Sequence, residues 1–532
     1  MSAERGDILR RILDDRCSRL AALGPQLGCT IPAERSVPVV PPPAATSRHG
    51  GPALFEIKRR SPSRGAIAAG LDAVAQAERY HLHAARAFSV LTESAYFGGS
   101  LDDLVAVKAR FPGCCVLRKD FLQREDEIDV SYRAGADLVL LIAAALEEAE
   151  LEALHAAASA QGIGALVELH DRADLEKVRG LKPPLVGINS RDLRTFRVDR
   201  LAPLALAAEI EWDCTLVYES GISGYEDALV AAASGFEGVL VGEAAMRSPE
   251  LVGEVLAGQS DGLAAASFKA GVSAAEGGNG GDRAGKGQNG GNSRRGAAGF
   301  GRGGCLGNPR FWAELMRRRA PAAHSCRRPL VKICGLVHAD DGRLAAELGA
   351  DVLGFVFADS PRRADPALLE ELADLQCLKV AVVQSSAGGL AREVCRLLHA
   401  GLLDAVQFHG DEAPAQCLQR AFPYYKALRL RGTADLHTAR TYGSPRVLVD
   451  AFDPHRAGGT GKRIAPELVQ AAAEHGPLWL AGGLSPGNIA AIIRAYRPEL
   501  VDVSSGVERT AGRKDAAKLE RYMKEIRHAV TV

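Results

Sequence analysis

The chain has 532 residues, 47% of them hydrophobic and 24% charged, and its 65 basic residues are balanced by 65 acidic ones. That length exceeds one ordinary core and predicts about two to four domains, while the charge balance gives no electrostatic reason to expect a nucleic-acid or membrane partner. The 11 cysteines are scattered, odd in number and without a Cys-x-x-Cys pair, which argues against a disulfide framework or a structural zinc site and for a reducing cytoplasm.

The opening segment MSAERGDILRRILDD is charged where a secretory leader is apolar, and no run of about 18 apolar residues follows, so a soluble intracellular chain is expected. Ile8, Leu9, Ile12 and Leu13 share one stripe and predict an N-terminal helix. The stretch PVVPPPAATSRHGGP predicts a loop of polyproline character. Short β-rich runs then alternate with helix-like segments: LFEIKR, ARAFSVLT, CCVLRKDF, DLVLLIA, GALVELH, LVGINSR, TLVYES and GVLVGEA. Runs apolar on both faces, separated by amphipathic stretches such as LDAVAQAERYHLHAA, are the pattern of parallel strands with helical crossovers.

From Gly277 to Gly304, 13 of 28 residues are glycine. Such a stretch cannot bury enough apolar surface to offset its ordering entropy and predicts a flexible linker. Beyond it the beat resumes with LVKICG, DVLGFVF, LKVAVV, AVQFHG, YYKALRL, RVLVDAF, LWLAGG and LVDVSSG. The prediction is two tandem (β/α)8 TIM barrels, with a first domain over 1–258, a linker over 259–326 and a second domain over 327–532. A doubly wound open sheet is the alternative for either half.

Functional groups of a closed parallel barrel gather at the C-terminal strand ends. Glu56 and Lys58 lie on one face at the end of the first strand, Lys119 ends the third, Glu168 the fifth, Asn189 the sixth, and Glu219 with Ser220 the seventh. Each alone is equally readable as a satisfied structural polar group. Together they predict a mixed acid and base mouth suited to proton transfer beside a developing oxyanion. ESGISG, with Gly221, and VGEAA, with Gly242, offer unobstructed amides where such barrels hold phosphate, and Ser61 and Ser63 offer hydroxyls.

In order, FEIKRRSPSRG, FSVLTESAYFGGSLDDL, VLRKDF, GALVELHD, GINSRDLRTF and ESGI resemble the indole-3-glycerol phosphate synthase family from Leu54 to about Val255. The resemblance implies closure of an indole ring from 1-(2-carboxyphenylamino)-1-deoxyribulose 5-phosphate, with loss of carbon dioxide and water. It implies Lys119 as general acid at the substrate carbonyl, Lys58 beside Glu56 as holder of the carboxylate and as an alternative proton donor in dehydration, and Glu168 as acid or base of that step, with the division of proton transfers between the two lysines left open. Asn189, Glu219 and Ser220 would orient the sugar, and Ser61 and Arg191 would contact phosphate. Ser190 and Tyr218 depart from the usual residues of that family, and the proline-rich segment departs from its usual lead-in.

In the second half, Cys334 ends the first strand and Asp450 the sixth, while Arg362 and His409 reach the same end from the second and fourth. A cysteine in an apolar run is more often an inert small hydrophobe; beside an acid at a barrel mouth it becomes a candidate base if its surroundings favour the thiolate. AGGLSPGN, with Gly482 and Gly483, and DVSSGVE, with Ser504, Ser505 and Gly506, again stand in the phosphate position. KICG, QFHGDE, GGTGKR, AGGLSPGNI and VDVSSGVE together resemble the phosphoribosylanthranilate isomerase family from Leu330 to near the C-terminus, with Phe408 in place of the usual leucine. The resemblance implies an Amadori rearrangement in which Asp450 protonates the furanose oxygen, Cys334 removes the C2' proton and Arg362 contacts the anthranilate. The product of the second barrel would then be the substrate of the first.

A histidine-pathway aminoaldose isomerase is the alternative for the second barrel, although that family is expected to use an aspartate pair. A non-catalytic phosphosugar-binding module is the alternative for either. No nucleotide fingerprint or metal cluster is evident in the sequence, so no cofactor is expected. The expected partners are small phosphosugar-anthranilate substrates, with other tryptophan-pathway enzymes as further candidates.

Overall fold

Strand runs that are apolar on both faces need cover on both faces, and each half of the chain meets that need by closing its strands into a ring. The computed structural model describes residues 8–44, 51–62, 65–66, 70–192, 197–276, 308, 310–319, 328–385, 390–417, 422–451 and 464–530. The chain divides into two units, Met1–Asn292 and Ser293–Val532. The glycine-rich segment Gly277–Gly304, Ser63 and the GGTGKR motif lie outside the described residues.

The first unit holds β1 (Ala53–Ile57), β2 (Ala87–Leu91), β3 (Cys115–Lys119), β4 (Leu138–Ile142), β5 (Gly164–Leu169), β6 (Leu185–Asn189), β7 (Thr215–Glu219) and β8 (Gly238–Val241). All pair in parallel in chain order, and β8 returns to β1 with Ala53 opposite Val239. Leu54, Leu117, Leu166, Val217 and Leu240 share one buried cluster. Two positions along each strand, on the same face, come Glu56, Lys119, Glu168, Glu219 and Gly242. The period of two thus makes the mouth the next layer above the apolar barrel interior.

The predicted N-terminal helix forms as α1 (Ile8–Leu23), with Ile12 in the core cluster and Ile8, Leu9 and Leu13 packed against it. Its deepest side chain is one the stripe did not include. Arg16 is fully buried, 2.9 Å from Asp120 and paired also with Glu127, while Arg118 reaches Asp120 at 3.1 Å. Asp120 follows Lys119, so this ion network seats the helix against the end of β3. Arg16→Met is expected to destabilise the first barrel by about 3 kcal/mol, because two carboxylates would stay buried with one guanidinium between them. Hydrogen exchange in urea measures it: first-barrel peptides lose protection at lower urea than in the parent, with second-barrel peptides as the internal reference.

The second unit repeats the plan with β9 (Leu330–Cys334), β10 (Val352–Val356), β11 (Leu378–Val383), β12 (Ala405–Phe408), β13 (Tyr424–Leu430), β14 (Val447–Ala451), β15 (Trp479–Leu480) and β16 (Leu500–Val503). These also close in chain order, with Leu330 opposite Leu500. Val331, Ile333, Leu353, Phe355 and Phe408 fill the layer between strands and helices. Lys332, Cys334 and Gln407 alternate to the other face of their strands.

The expected linker bounds of 259–326 differ from the structure at both ends. The helix α2 (Leu251–Glu276) runs through the expected boundary at Gly258. A Cβ at Gly258 would stand 2.2 Å from the Tyr225 carbonyl oxygen, and one at Gly262 2.5 Å from that of Leu229. These glycines, four apart on one helix face, permit close packing rather than begin a coil. Further on, α3 (Phe311–Arg319) buries Phe311, Trp312, Leu315 and Met316 on the second barrel, with Trp312 and Trp479 ring centroids 6.0 Å apart and Arg319 2.7 Å from Glu499. Among the described residues no helix is long and apolar enough to cross a membrane.

Candidate active sites

The first mouth is a cavity of about 460 Å³, within the range that holds a small ligand. Its lining includes every residue singled out in the first half except Ser63: Glu56, Lys58, Ser61, Lys119, Glu168 and Asn189 on one side of the chain order, then Arg191, Glu219, Ser220, Gly221 and Gly242. Phe97, Phe121, Leu140 and Leu240 add an apolar wall.

Lys119 lies at the centre of the charges. Its Nζ donates to Glu168 Oε2 at 2.9 Å and to Glu219 Oε2 at 3.1 Å. Burial works against the ammonium, but Glu168 and Glu219 outweigh it and hold the lysine above its ordinary value. The two carboxyls are driven apart. Burial disfavours charge on Glu168, yet Lys119 and His170 hold it well below the usual carboxylate range. Burial and the Glu168 charge push Glu219 up to about 8. One carboxylate and one carboxylic acid therefore share one lysine at neutral pH, the condition that separates acid and base roles. Lys58 and Glu56 form a second ion pair, with Lys58 the more exposed of the two.

Two missing side chains make room for these groups. A Cβ at Gly187 on β6 would stand 2.1 Å from Glu219 Oε1, and a Cβ at Gly242 2.5 Å from Glu56 Oε1 and 3.0 Å from Lys58 Nζ. Asn189 Oδ1 accepts from the Arg191 amide at 3.0 Å, fixing the turn that carries both. Ser220 and Gly221 take consecutive left-handed φ values of 65° and 79°, which turn the backbone sharply beyond β7. The departures from the family pattern lie off the reacting groups. Tyr218 faces outward, edge-on to Phe236 at 5.2 Å with its hydroxyl on the Arg200 carbonyl, and Ser190 Oγ donates to the Ser220 carbonyl at 3.0 Å.

In the second mouth Asp450 accepts from His409 Nε2 at 3.1 Å and from the Ala451 amide at 2.7 Å. Gly482, at φ 87°, presses on it: a Cβ there would stand 2.8 Å from Asp450 Oδ1. Both His409 nitrogens are engaged, since Nδ1 faces Gln407 Nε2 at 2.7 Å. Arg362 is half-buried and forked onto Glu508, with Nε to Oε1 at 2.9 Å and Nη2 to Oε2 at 2.7 Å. Lys514 Nζ donates to the same carboxylate at 3.0 Å and to the Cys334 carbonyl at 2.6 Å. Burial pushes the Cys334 thiol up, opposed by the Lys332 ammonium, so the unliganded site holds the thiol. A Cβ at Gly506 would fall 1.8 Å from the Leu484 carbonyl oxygen, so the loops holding Gly482 and Gly483 and holding Ser504 and Ser505 touch backbone to backbone. Ser504 Oγ is buried without a hydrogen-bond partner among the described residues.

The groups that sequence reading passed over stand mostly two residues from one it named, on the same strand face or just past it. His170, beside Glu168, lies 3.0 Å from Glu168 Oε1 and 3.5 Å from Asp174 Oδ2. Burial works against its charge, but these carboxylates push it up to about 10. Lys332 stands two before Cys334, and Gln407 two before His409. A polar residue two positions before a strand-end candidate, as at Lys332 and Gln407, or two after it, as at His170, was the available signal. Among the described residues, no group of three or more His, Cys, Asp or Glu side chains is arranged to hold a metal ion.

Residues 44–256 match the family model for indole-3-glycerol phosphate synthase, and residues 331–525 that for N-(5'-phosphoribosyl)anthranilate (PRA) isomerase. An N-(5'-phosphoribosyl)anthranilate isomerase of Pseudomonas putida (strain W619) is 42% identical over 205 residues, 37% of this chain and 97% of that protein. An indole-3-glycerol phosphate synthase of Opitutus terrae is 42% identical over 201 residues, 37% of this chain and 76% of that protein. A multifunctional tryptophan biosynthesis protein of Phycomyces blakesleeanus is 28% identical over 542 residues, and the match takes in 90% of this chain and 63% of that protein.

Proposed function

The chain belongs to the indole-3-glycerol phosphate synthase family through its first barrel and to the N-(5'-phosphoribosyl)anthranilate isomerase family through its second, and from that premise we propose how the residues of the two mouths divide the chemistry. The protein is a bifunctional enzyme of tryptophan biosynthesis. Its second barrel isomerises N-(5-phosphoribosyl)anthranilate to 1-(2-carboxyphenylamino)-1-deoxyribulose 5-phosphate, and its first closes the indole ring with decarboxylation and dehydration.

In the first barrel Lys119 is the general acid at the substrate carbonyl. Clamped by Glu168 and Glu219, it keeps its proton until ring closure turns the carbonyl oxygen into an alkoxide, a far stronger base than either carboxyl. Lys58 holds the substrate carboxylate, and Glu168, kept ionised by Lys119 and His170, takes the proton lost in dehydration. Asn189, Glu219 and Ser220 orient the sugar, while Ser61, Arg191 and the amides of Gly221 and Gly242 take the phosphate. The aryl ring packs on the apolar wall of Phe97, Leu140 and Leu240. The observation that carries this reading is the Lys119 ammonium within hydrogen-bond reach of both Glu168 and Glu219.

In the second barrel Asp450, in its protonated form, is the acid and Cys334 the base, and the thiol must release its proton to solvent before it takes the C2' proton. Arg362 contacts the anthranilate from its fork on Glu508. His409, with both nitrogens engaged, holds Asp450 rather than the substrate. Gly482, Gly483, Ser505 and Gly506 surround the phosphate, and Ser504 Oγ supplies a free hydroxyl. The test is to give the purified protein phosphoribosylanthranilate and follow both the ribulose intermediate and indole-3-glycerol phosphate. Appearance of only one product would remove one barrel from the assignment.

Glu219 gives a pH prediction. Its folded-state value is raised to about 8, so the protonated form dominates below that pH and is lost above it. Synthase kcat is expected to fall as pH rises through about 8. Glu219→Gln, neutral at every pH, is expected to remove that limb while keeping measurable turnover. An unchanged limb in the variant would assign the titration elsewhere.

A further inference from the structure

Lys332 belongs to none of the residues assigned above, yet it touches the base and, through two intermediates, the acid. Its ammonium has three protons and three acceptors: Cys334 Sγ at 3.6 Å, Gln407 Oε1 at 2.6 Å and Asp502 Oδ2 at 2.6 Å. It is fully buried, one inward-facing layer beneath Cys334 on β9. The backbone of β10 closes over the pair, since a Cβ at Gly354 would stand 2.8 Å from Cys334 Sγ and 3.0 Å from Lys332 Cε.

The protons along this chain follow from what each group is able to do. An ammonium only donates, so the Gln407 atom facing it is the carbonyl oxygen. The Gln407 amide nitrogen then faces His409 Nδ1 at 2.7 Å as a donor, and Nδ1 must offer its lone pair. The ring proton is left on Nε2, where it points at Asp450 Oδ2 at 3.1 Å. Were Lys332 replaced by a group that accepts, the amide would turn over and the histidine would lose the tautomer that holds Asp450.

We propose that Lys332 is a positioning residue for both halves of the isomerase step: it sets the Gln407 amide and thereby the Nε2–H tautomer of His409 that orients Asp450, and it places a buried cation against Cys334 Sγ. The inference rests on the reading of Cys334 and Asp450 as base and acid. No proton crosses the chain, because a glutamine amide does not relay one. Lys332 acts by hydrogen-bond direction and by charge. The other charged groups that bear on Cys334 are Asp502 on β16, Lys514 on the strand Arg513–Lys514, and Arg362 in the loop after β10. Asp502 disfavours the thiolate and the cations favour it, and Lys332 is the cation whose ammonium touches the sulfur.

The test is Lys332→Met in the full chain, which keeps the length of the side chain and removes its charge. In the parent, isomerase kcat/KM is expected to rise with pH as the base loses its proton. In the variant that acidic limb is expected to move up by roughly one pH unit or more, as loss of an adjacent opposite charge requires. At neutral pH kcat is expected to fall at least about tenfold with KM little changed, while indole formation from the ribulose substrate stays at the parent rate and reports that the rest of the chain is intact. Alkylation of Cys334 across pH, followed on its own peptide by mass spectrometry, should show the same upward shift. Gln407→Leu separates the two roles: kcat should fall while the alkylation profile stays in place. That variant carries the test if Lys332→Met fails to fold, and undiminished kcat in it would overturn the tautomer argument. A folded Lys332→Met protein with the parent's pH limb and alkylation profile would overturn the charge argument. Retained turnover in Cys334→Ala would instead defeat the catalytic reading, and the alkylation profile of the parent and Lys332→Met would still decide whether Lys332 governs the thiol.

Discussion

Lys119→Ala is expected to lower indole formation by about a hundredfold to ten-thousandfold, the usual cost of losing a positioned general acid, and to leave the isomerase rate unchanged. The loss has two parts. The substrate carbonyl loses its proton donor, and Glu168 loses the ammonium 2.9 Å away that holds its charge. With burial no longer offset by that cation, Glu168 shifts upward and becomes a poorer anion for dehydration, although His170 still lies 3.0 Å from it. Lys119→Ala should therefore impair both ring closure and dehydration, whereas Lys58→Ala should leave the Glu168–Glu219 pair intact. Steady-state assay with the ribulose substrate, beside an isomerase assay of the same preparation, measures both. Indole formation at the parent rate in Lys119→Ala would put the acid elsewhere in the first mouth.

The counterpart in the second barrel is Cys334→Ala. Isomerase turnover is expected to fall by about a hundredfold to ten-thousandfold or more, since no other group takes the C2' proton, and synthase activity stays near normal. The substitution leaves Lys332 with Gln407 and Asp502 as acceptors, so the His409 tautomer and Asp450 should survive it. Cys334→Ser refines the result: a hydroxyl keeps the third acceptor but resists deprotonation, and it should be nearly as slow as alanine. Consumption of phosphoribosylanthranilate, followed directly, measures both variants. Parent-like rates in either would remove the thiol from the mechanism.

The departures between expectation and structure share one origin. The bounds expected from the sequence end the first domain at Gly258, but packing against the helix Tyr225–Ala233 needs a residue without a side chain there, and the helix Leu251–Glu276 runs on through it. Arg16 falls outside the apolar stripe that predicts the N-terminal helix, because a guanidinium belongs in water until carboxylates such as Asp120 and Glu127 replace that water. In each case a residue's intrinsic preference was overruled by neighbours distant in sequence.

By itself the sequence determined the strands, the two barrels and most of the charged groups that line the first mouth. These rest on chain-local geometry: alternation assigns each side chain to a face, and parallel strands with helical crossovers bring all their C-terminal ends to one rim. Glu56, Lys119, Glu168 and Glu219 could be named because each is polar at an inward position of an apolar run. Only the tertiary structure decided who meets whom. Lys119 and Glu219 are 100 residues apart, and Lys332 and Asp502 are 170 apart, so their contacts depend on ring closure and strand register rather than on any local pattern. The same closure decided protonation, because burial acts on every group at the mouth while only the particular neighbour determines which carboxyl keeps its charge, which keeps its proton, and which nitrogen of His409 faces Asp450.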